Sequence, residues 1–309
     1  MTLATRPGGT ITDDSGRARL PDESGFAVAD DGVRLAFDVY GAGDPTVLLL
    51  PSAPIVHARQ WKAQIPYLAR LTRVVAYDGR GNGRSDRPMD PAGYHDDRMT
   101  TDITTVMDAT GTSRAILVGL CVDGVWRAIR VAAAHPDRVL AIVAFAVGVP
   151  RLAPPHPWYA QMDFERDLPA YDGWAKLNRH AWLRDYPDFA RFFFGEITSE
   201  PHSTKAIDDA VAWALDGDPE AMVAEAEADF PFSRDQVIEI CRSVRCPMRL
   251  VHGTEDSCQS IERARVLAEL TGAPLTVVDG ADHMIPGRHP VLANLIIREV
   301  IRSVRRSQP

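Results

Sequence analysis

Cys121 has the sequence setting of a reactive cysteine. It lies in Gly119-Leu120-Cys121-Val122-Asp123-Gly124, between a short apolar strand pattern and an amphipathic helix pattern. A sharp strand-to-helix turn needs small residues beside its apex, and it projects the apex side chain above the sheet. The N-terminus of the following helix favours a negative charge there, which biases a cysteine toward the thiolate. Burial in a core is the commoner role of a cysteine, but this setting favours a nucleophile.

The elements around Cys121 alternate between strand and helix patterns. A hairpin pattern runs from Phe26 to Tyr40, around the turn Asp30-Asp31-Gly32. The later strand patterns cover 46–50, 73–77, 115–118, 139–146, 248–252 and 275–278. The helix patterns cover 61–71, 100–108, 122–134, 261–270 and 291–304. Strand and helix alternating at this spacing predict right-handed crossovers and a mostly parallel central sheet with helices on both faces.

The alternation is interrupted once, between residues 150 and 232. This segment has no strand pattern and contains 14 of the 23 aromatic residues of the chain. An insertion of this size predicts a helical subdomain rather than a loop. We therefore expect a core formed by 26–149 and 233–309, a helical cap at 150–232, and a polar, flexible leader at 1–25.

The motif at Cys121 resembles the nucleophile turn of the α/β-hydrolase superfamily, and the resemblance extends from Phe26 to the last helix. It implies the α/β-hydrolase fold. Two positions depart from the family pattern. Cysteine replaces the usual serine, as it also does in dienelactone hydrolases and polyester synthases. Asp123 replaces a glycine, so we expect either a slightly opened turn or a carboxylate that caps the helix. In both cases its negative charge opposes thiolate formation.

Three further stretches carry the resemblance. The run Asp78-Gly79-Arg80-Gly81-Asn82-Gly83-Arg84-Ser85 is a structural turn beside the active site in the family, and it lacks the Lys-Ser/Thr pair of a phosphate loop. Together with Trp61-Lys62-Ala63-Gln64 and Arg288-His289-Pro290-Val291, it resembles a subgroup of hydrolases sometimes fused to nucleotide cyclases. That subgroup does not define a substrate.

The resemblance implies an acid after a late strand, followed by a histidine. Asp256 in His252-Gly253-Thr254-Glu255-Asp256 matches the acid, with Glu255 as second choice. Asp256 could instead cap the helix that begins near Ser260. His283, between the last strand and the last helix, matches the histidine. His289 is its nearest competitor, but it adjoins the proline that starts the helix.

The family's oxyanion hole implies two backbone N–H groups here. The first belongs to Val122, directly after the nucleophile. The second comes from Pro51-Ser52-Ala53-Pro54, where the family usually has His-Gly and then a bulky residue. By position Ala53 supplies this amide, because Pro54 has no N–H.

The expected chemistry is cleavage of an ester, thioester or lactone through a thioester on Cys121. Transfer of the acyl group to an amine or alcohol is an alternative, because thioesters are receptive to amines. A ligand-binding protein with attenuated chemistry is an alternative of another class, suggested by Asp123. The aromatic cap favours a small-molecule substrate with an apolar or aromatic acyl group. A carrier-bound or CoA thioester is a further possible substrate. Trp158, Tyr159 and Trp182 are the pocket candidates, although most cap aromatics are expected to form the cap's own core.

The composition excludes several other classes. The net charge of −8 argues against nucleic-acid binding, which needs a basic surface. No run of about 18 apolar residues predicts a membrane span, and no signal peptide is recognisable. The four cysteines are too few for a disulfide framework, and Cys241 and Cys246 do not have the spacing of a zinc knuckle. We therefore expect a cytoplasmic enzyme without cofactor or metal, and the oligomeric state is left open.

Overall fold

A single eight-stranded sheet organises the molecule. The computed structural model describes residues 18–202 and 204–307. The strands are β1 Glu23–Val28, β2 Arg34–Tyr40, β3 Thr46–Leu49, β4 Val74–Tyr77, β5 Ala115–Leu120, β6 Val139–Phe145, β7 Met248–Gly253 and β8 Leu275–Val278. Their order is β1-β2-β4-β3-β5-β6-β7-β8. Only β1 with β2 and β2 with β4 pair antiparallel, so the predicted mostly parallel sheet is confirmed.

Eleven α-helices are present in the described residues. They are α1 Ile65–Leu68, α2 Asp96–Ala109, α3 Cys121–Ala134, α4 Arg179–Arg184, α5 Tyr186–Ile197, α6 Lys205–Leu215, α7 Pro219–Ala226, α8 Arg234–Ser243, α9 Ile261–Thr271, α10 Ile285–Arg288 and α11 Pro290–Ser307. Short 3-10 helices cover Ala58–Trp61, Pro91–Tyr94, Pro157–Gln161 and Gly173–Lys176. No helix in the described ranges is long and apolar enough to cross a membrane.

The two faces of the sheet bury two separate apolar clusters. Along β5, Ile116 and Val118 belong to one cluster, while Leu117 belongs to the other. This alternation follows from the period-2 geometry of a strand. Helices α2, α3, α8 and α9 cover one face, and α1, α11 and the helices of the inserted segment cover the other. The predicted helices on both faces are therefore confirmed.

Two element predictions differ from the structure. The helix predicted at 61–71 is only the short α1, preceded by a 3-10 turn. Pro66 explains this break, because proline has no N–H to donate and is tolerated only in the first turn of a helix. Strand β1 begins at Glu23, inside the leader predicted as flexible, because it pairs with β2 along its whole length. Residues 1–17 of that leader lie outside the described residues.

The inserted segment between β6 and α8 has helices α4–α7 and no strand in its described residues, which exclude position 203. Five of its buried aromatic side chains share one apolar cluster with the sheet: Trp182, Tyr186, Phe189, Phe194 and Trp213. At the end of the segment, Phe230 and Phe232 pack against Trp126 of α3. The segment is therefore anchored on both sides of the sheet by its aromatic residues.

Arg80, in the glycine-rich loop after β4, forms a buried ion pair. Its Nε and Nη2 atoms each donate to Asp102 of α2 at 2.7 Å, and its Nη1 atom donates to Asp31 at 2.8 Å. Only 1% of Arg80 is exposed. These contacts tie the β1–β2 turn and α2 to the loop, in agreement with the structural role expected for this motif.

Arg80→Ala is expected to lower the free energy of unfolding by about 3–5 kcal/mol, because it leaves the buried Asp102 carboxylate without its partner. Urea unfolding followed by circular dichroism measures the change. Arg34→Ala is the matched control, since Arg34 forms an exposed pair with Asp86 at 3.0 Å and the loss of a solvent-exposed pair should change the free energy of unfolding far less. Equal decreases of the unfolding free energy in the two variants would contradict the expectation that the buried Arg80 pair stabilises the fold more than the exposed Arg34 pair.

Candidate active site

Cys121 occupies the sharp turn between β5 and α3. Its φ angle is +60°, a conformation that costs energy for a residue with a side chain and occurs at functional sites. Gly119 and Gly124 meet beneath the turn. A Cβ atom on Gly119 would lie 2.3 Å from the carbonyl oxygen of Gly124, and one on Gly124 would lie 2.9 Å from the Cα atom of Gly119. The close contact requires glycine at both positions, so Gly124 supports the turn where the family uses the preceding residue.

Asp123 neither opens the turn nor caps the helix. The close contact between Gly119 and Gly124 leaves no opening, and the Asp123 carboxylate pairs with Arg127 at 3.5 Å, one turn along α3. Burial raises the pKa of Asp123 to about 6, with Arg127 opposing the rise and negative charge on Cys121 adding to it. The two expectations for the geometry at Asp123 were therefore wrong, while its electrostatic opposition to a thiolate agrees with the direction of this shift.

His283 and Asp256 form a buried pair. The Nδ1 atom of His283 lies 3.0 Å from both carboxylate oxygens of Asp256. Asp256 also accepts hydrogen bonds from the backbone N–H groups of Cys258 at 2.9 Å and Gln259 at 2.8 Å. Ser260 caps α9 instead, so Asp256 does not have the alternative capping role.

The other candidates for acid and base lie apart from this pair. His289, which directly follows α10 in the chain, contacts Glu200 at 2.8 Å. Glu255 is exposed in the loop after β7, beside the buried Asp256. The structure thus brings Cys121, Asp256 and His283 together and leaves the two competitors outside.

His252 holds Asp256 from behind, a role that was not predicted. Its Nδ1 atom accepts the backbone N–H of Val147 at 3.0 Å, so the proton of the neutral ring is on Nε2. That Nε2 atom lies 3.1 Å from the carbonyl oxygen of Gln259 and 3.4 Å from an Asp256 carboxylate oxygen. The signal in the sequence was a histidine directly after the apolar pair Leu250-Val251 in strand β7.

Cys258 and Gln259 also belong to the site, and sequence reasoning missed both. The sulfur atoms of Cys121 and Cys258 and a ring nitrogen of His283 all lie within 4.8 Å of one another. The Gln259 side-chain amide donates to the Cys121 sulfur at 3.6 Å and to the Cys258 sulfur at 3.5 Å. Arg263 donates in turn to the carbonyl oxygen of this amide. No sequence motif marks these residues, because the conformation of the loop after β7 brings them to the turn.

The environment favours a thiolate at Cys121. A hydrogen bond from Cys258 is the largest contribution that lowers the pKa of Cys121; burial opposes it, and His283 and the Val122 N–H add to the lowering. The same hydrogen bond, together with burial, raises the pKa of Cys258 well above its usual value. Burial lowers the pKa of His283, but the negative charges of Asp256, Cys258 and Cys121 outweigh it and raise that pKa. These directions favour negative charge on Cys121 rather than on Cys258, beside a positively charged His283.

The two amides expected to hold an oxyanion have different support. The Val122 N–H contacts the Cys121 sulfur and is at the first turn of α3. Ala53 lies in the loop after β3, where it bridges to Val56 and packs in the same apolar cluster as Cys121. The carbonyl of Pro54 accepts a hydrogen bond from Asn82, which fixes this loop. The roles of Val122 and Ala53 stay predictions.

The aromatic candidates lie in different places. Trp158 stacks on Tyr159 and Trp174, with ring centroids 4.0 and 3.8 Å apart. Its Nε1 atom donates to the carbonyl of Ser257 at 2.7 Å, next to Cys258. Burial raises the pKa of Tyr159, and negative charge on the two cysteines adds to the rise, so Tyr159 is close to them.

Trp182 packs against Phe164 and Phe189 inside the inserted segment, at centroid distances of 5.1 and 4.9 Å. These contacts match the expectation that most aromatics form the core of this segment. A place for Trp182 in the substrate pocket stays a prediction, as do those of Trp158 and Tyr159.

The sheet order and this site define a class of protein. The chain belongs to the α/β hydrolase fold family, whose model matches residues 45–290. The fold and the relatives described next support a hydrolase function in general terms.

Three proteins illustrate the similarity. Putative carbamate hydrolase RutD of Variovorax paradoxus is 37% identical over 110 residues, which are 35% of this chain and 41% of that protein. Thus this chain spans about two fifths of that relative's length. Non-heme chloroperoxidase of Streptomyces lividans is 26% identical over 288 residues, covering 90% of this chain and 100% of that protein. The solved esterase RhEst1 of Rhodococcus sp. ECU1013 has a TM-score of 0.74 at 22% identity, and the match covers 91% of this chain and 99% of that chain.

Proposed function

We propose that this protein is a hydrolase that cleaves the acyl bond of a small ester, thioester or lactone through a thioester on Cys121. The observation that carries the proposal is the convergence of three side chains. The sulfur of Cys121 and a ring nitrogen of His283 are within 4.8 Å of each other, and His283 is held by Asp256 at 3.0 Å. A nucleophile, a base and an orienting acid in contact are the requirements of covalent acyl transfer.

The first half-reaction uses the thiolate–imidazolium pair directly. The Cys121 thiolate attacks the carbonyl carbon, and the N–H groups of Val122 and Ala53 hold the oxyanion that forms. When the tetrahedral intermediate collapses, the bond to the alcohol or thiol leaving group breaks. The leaving group takes the Nε2 proton of His283, and the acyl group remains as a thioester on Cys121.

The second half-reaction restores the pair. His283, now neutral, takes a proton from water while the water oxygen attacks the thioester carbonyl. The carbon–sulfur bond breaks and Cys121 leaves as a thiolate. Asp256 fixes the ring of His283 throughout, since both its oxygens lie 3.0 Å from Nδ1. His252 supports Asp256 and is a positioning residue.

The substrate class follows from the residues beside Cys258. Trp158, Tyr159 and Trp174 form a stack that a hydrogen bond to Ser257 fixes to the site loop. Aromatic walls of this kind bind apolar and aromatic groups. We therefore propose an apolar or aromatic acyl group, with segment 150–232 as the cap over it. The cysteines of the site must stay reduced to act, which favours the cytoplasm.

Acyl transfer is the second candidate, and the stacked aromatics favour it. Rings stacked beside the site loop reduce the room for water, and a thioester reacts readily with amines. In this candidate an amine or alcohol takes the place of water in the second half-reaction, and the steps on Cys121 and His283 are unchanged.

Intact-mass spectrometry tests the proposal. The protein is mixed with p-nitrophenyl acetate, p-nitrophenyl butyrate, phenylacetyl thioester and a lactone, and is quenched in acid within seconds. We expect a mass increase of one acyl group in the wild type and in Cys246→Ala, and none in Cys121→Ala. Peptide mapping should place the group on Cys121. An equal adduct in Cys121→Ala would contradict the proposal.

The acceptor is identified in the same assay. Adding a primary amine or an alcohol and analysing the released product separates the free acid of a hydrolase from the amide or ester of a transferase. Saturable binding of an ester, with neither adduct nor product, would instead indicate a ligand-binding protein on this fold.

A further inference from the structure

The site has a second property that the acyl chemistry does not use. The Cys121 sulfur, the Cys258 sulfur and a ring nitrogen of His283 lie within 4.8 Å of one another. Cys258 and His283 are buried, and Cys121 is half-buried. Thiolate sulfur and imidazole nitrogen are the ligands that zinc prefers in proteins. We propose that Cys121, Cys258 and His283 bind a zinc ion as a Cys₂His site.

The distances fit a tetrahedral site. Zinc binds sulfur at about 2.3 Å and imidazole nitrogen at about 2.0–2.1 Å, so its ligand atoms lie about 3.4–3.8 Å apart. The three atoms lie within 4.8 Å of one another, so zinc binding requires side-chain rotation to bring them closer together. Three protein ligands leave the fourth position free for water or for a group of the substrate.

The surrounding residues have the arrangement that supports such ligands. Asp256 holds the Nδ1 atom of His283 at 3.0 Å, which leaves Nε2 to bind the metal. A carboxylate on the far nitrogen is the usual partner of a zinc-bound histidine. The Gln259 amide lies 3.6 and 3.5 Å from the two sulfurs and can donate to both as thiolates. Arg263 fixes this amide.

The charges balance in the complex. Zinc carries two positive charges, and two thiolates cancel them, so the buried complex is neutral. The ligands bind as thiolates and a neutral imidazole, and the protons that they held pass to solvent. No electron is transferred. Because the metal takes both the proposed nucleophile and the proposed base, bound zinc would stop acyl chemistry until it is removed.

Direct titration tests the site without any substrate. The full chain, metal-free and kept reduced with a phosphine, is titrated with ZnCl₂ in competition with a chromophoric chelator. We expect one zinc ion per chain, an affinity at least about 10²-fold weaker in Cys258→Ser, and unchanged affinity in Cys246→Ser. Equal affinity in Cys258→Ser and the wild type would overturn the proposal, as would loss of binding in Cys246→Ser.

Cobalt substitution gives a measurement that needs no variant. Co²⁺ in the wild-type chain should produce a sulfur-to-cobalt charge-transfer band and the strong visible absorption of a four-coordinate ion. A weak spectrum typical of six-coordinate cobalt, or none, would overturn the proposal.

The two proposals for the site can fail separately. Zinc binding without an acyl adduct would leave the metal site and reject the acyl chemistry. An adduct without zinc binding would do the reverse. If both hold, one equivalent of zinc should stop ester turnover, and EDTA should restore it.

Discussion

Replacing His283 by alanine is expected to lower kcat/KM for an ester substrate by about 10³–10⁴-fold. In the proposed mechanism the variant loses the group that protonates the leaving group and activates water, and Cys121 loses the positive charge that lowers its pKa. Because both half-reactions need His283, the acyl-enzyme should form slowly and also hydrolyse slowly. Stopped-flow release of p-nitrophenol measures the first step, and intact mass after a chase measures the second.

Asp256→Asn is expected to lower kcat/KM by less than His283→Ala does. It removes the charge and one acceptor from the Nδ1 side of His283, but Cys258 and Val122 still stabilise the thiolate. His289→Ala is the matched control, since His289 pairs with Glu200 and takes no part in the proposed steps. An equal decrease of kcat/KM in His289→Ala and in His283→Ala would contradict the assignment of His283 as the base.

The core of the fold could be predicted because its strands are continuous apolar runs. Strand β5, for example, is buried along its whole length, and a strand buried on both faces needs no alternation to be recognised. The carboxyl ends of parallel strands lie at one edge of a sheet, so residues after β5, β7 and β8 meet there. That rule places Cys121, Asp256 and His283 together without knowledge of any distance.

The remaining parts of the site depend on loop conformation. Cys258 and Gln259 are two and three residues after Asp256, and their backbone N–H groups bind its carboxylate. This tight turn directs the Cys258 side chain toward Cys121, which is remote in sequence. A spacing rule for metal ligands compares residues that are close in the sequence. It therefore excluded Cys241 and Cys246 as a zinc knuckle, but it could not find Cys121, Cys258 and His283, which come from three separate parts of the chain.

Asp123 shows the same limit at shorter range. Sequence reasoning placed its side chain in the turn because it stands where the family has glycine. The structure instead gives the close contact to Gly124 and directs Asp123 to Arg127. Asp123 and Gly124 are adjacent residues of α3, and only the packing of this helix on the sheet decides which of them lies in the close contact.

At pH 7 Cys121 is expected to react with iodoacetamide about 10²-fold or more faster than Cys246. Burial raises the pKa of Cys246 to about 11, so only about 10⁻⁴ of it is thiolate at this pH. The contacts to Cys258, His283 and Val122 lower the pKa of Cys121, so a larger fraction of its sulfur than of the Cys246 sulfur is expected to be ionised. Peptide mass spectrometry over a pH series gives a rate profile for each cysteine in one sample. Similar rates for the two would contradict a thiolate at Cys121.

Two variants separate the electrostatic contributions to the pH dependence of the Cys121 reaction rate. In His283→Ala the pKa of Cys121 rises, because a positive neighbour is lost, and the Cys121 profile should move to higher pH. In Asp123→Asn the negative carboxylate is lost and Arg127 keeps its charge, so the profile should move to lower pH. Asp123 has a pKa of about 6, which means that its charge is present at neutral pH and works against the thiolate there. An Asp123→Asn profile that overlays the wild type would show that Arg127 already neutralises this carboxylate, and that Asp123 does not limit the reactivity of Cys121.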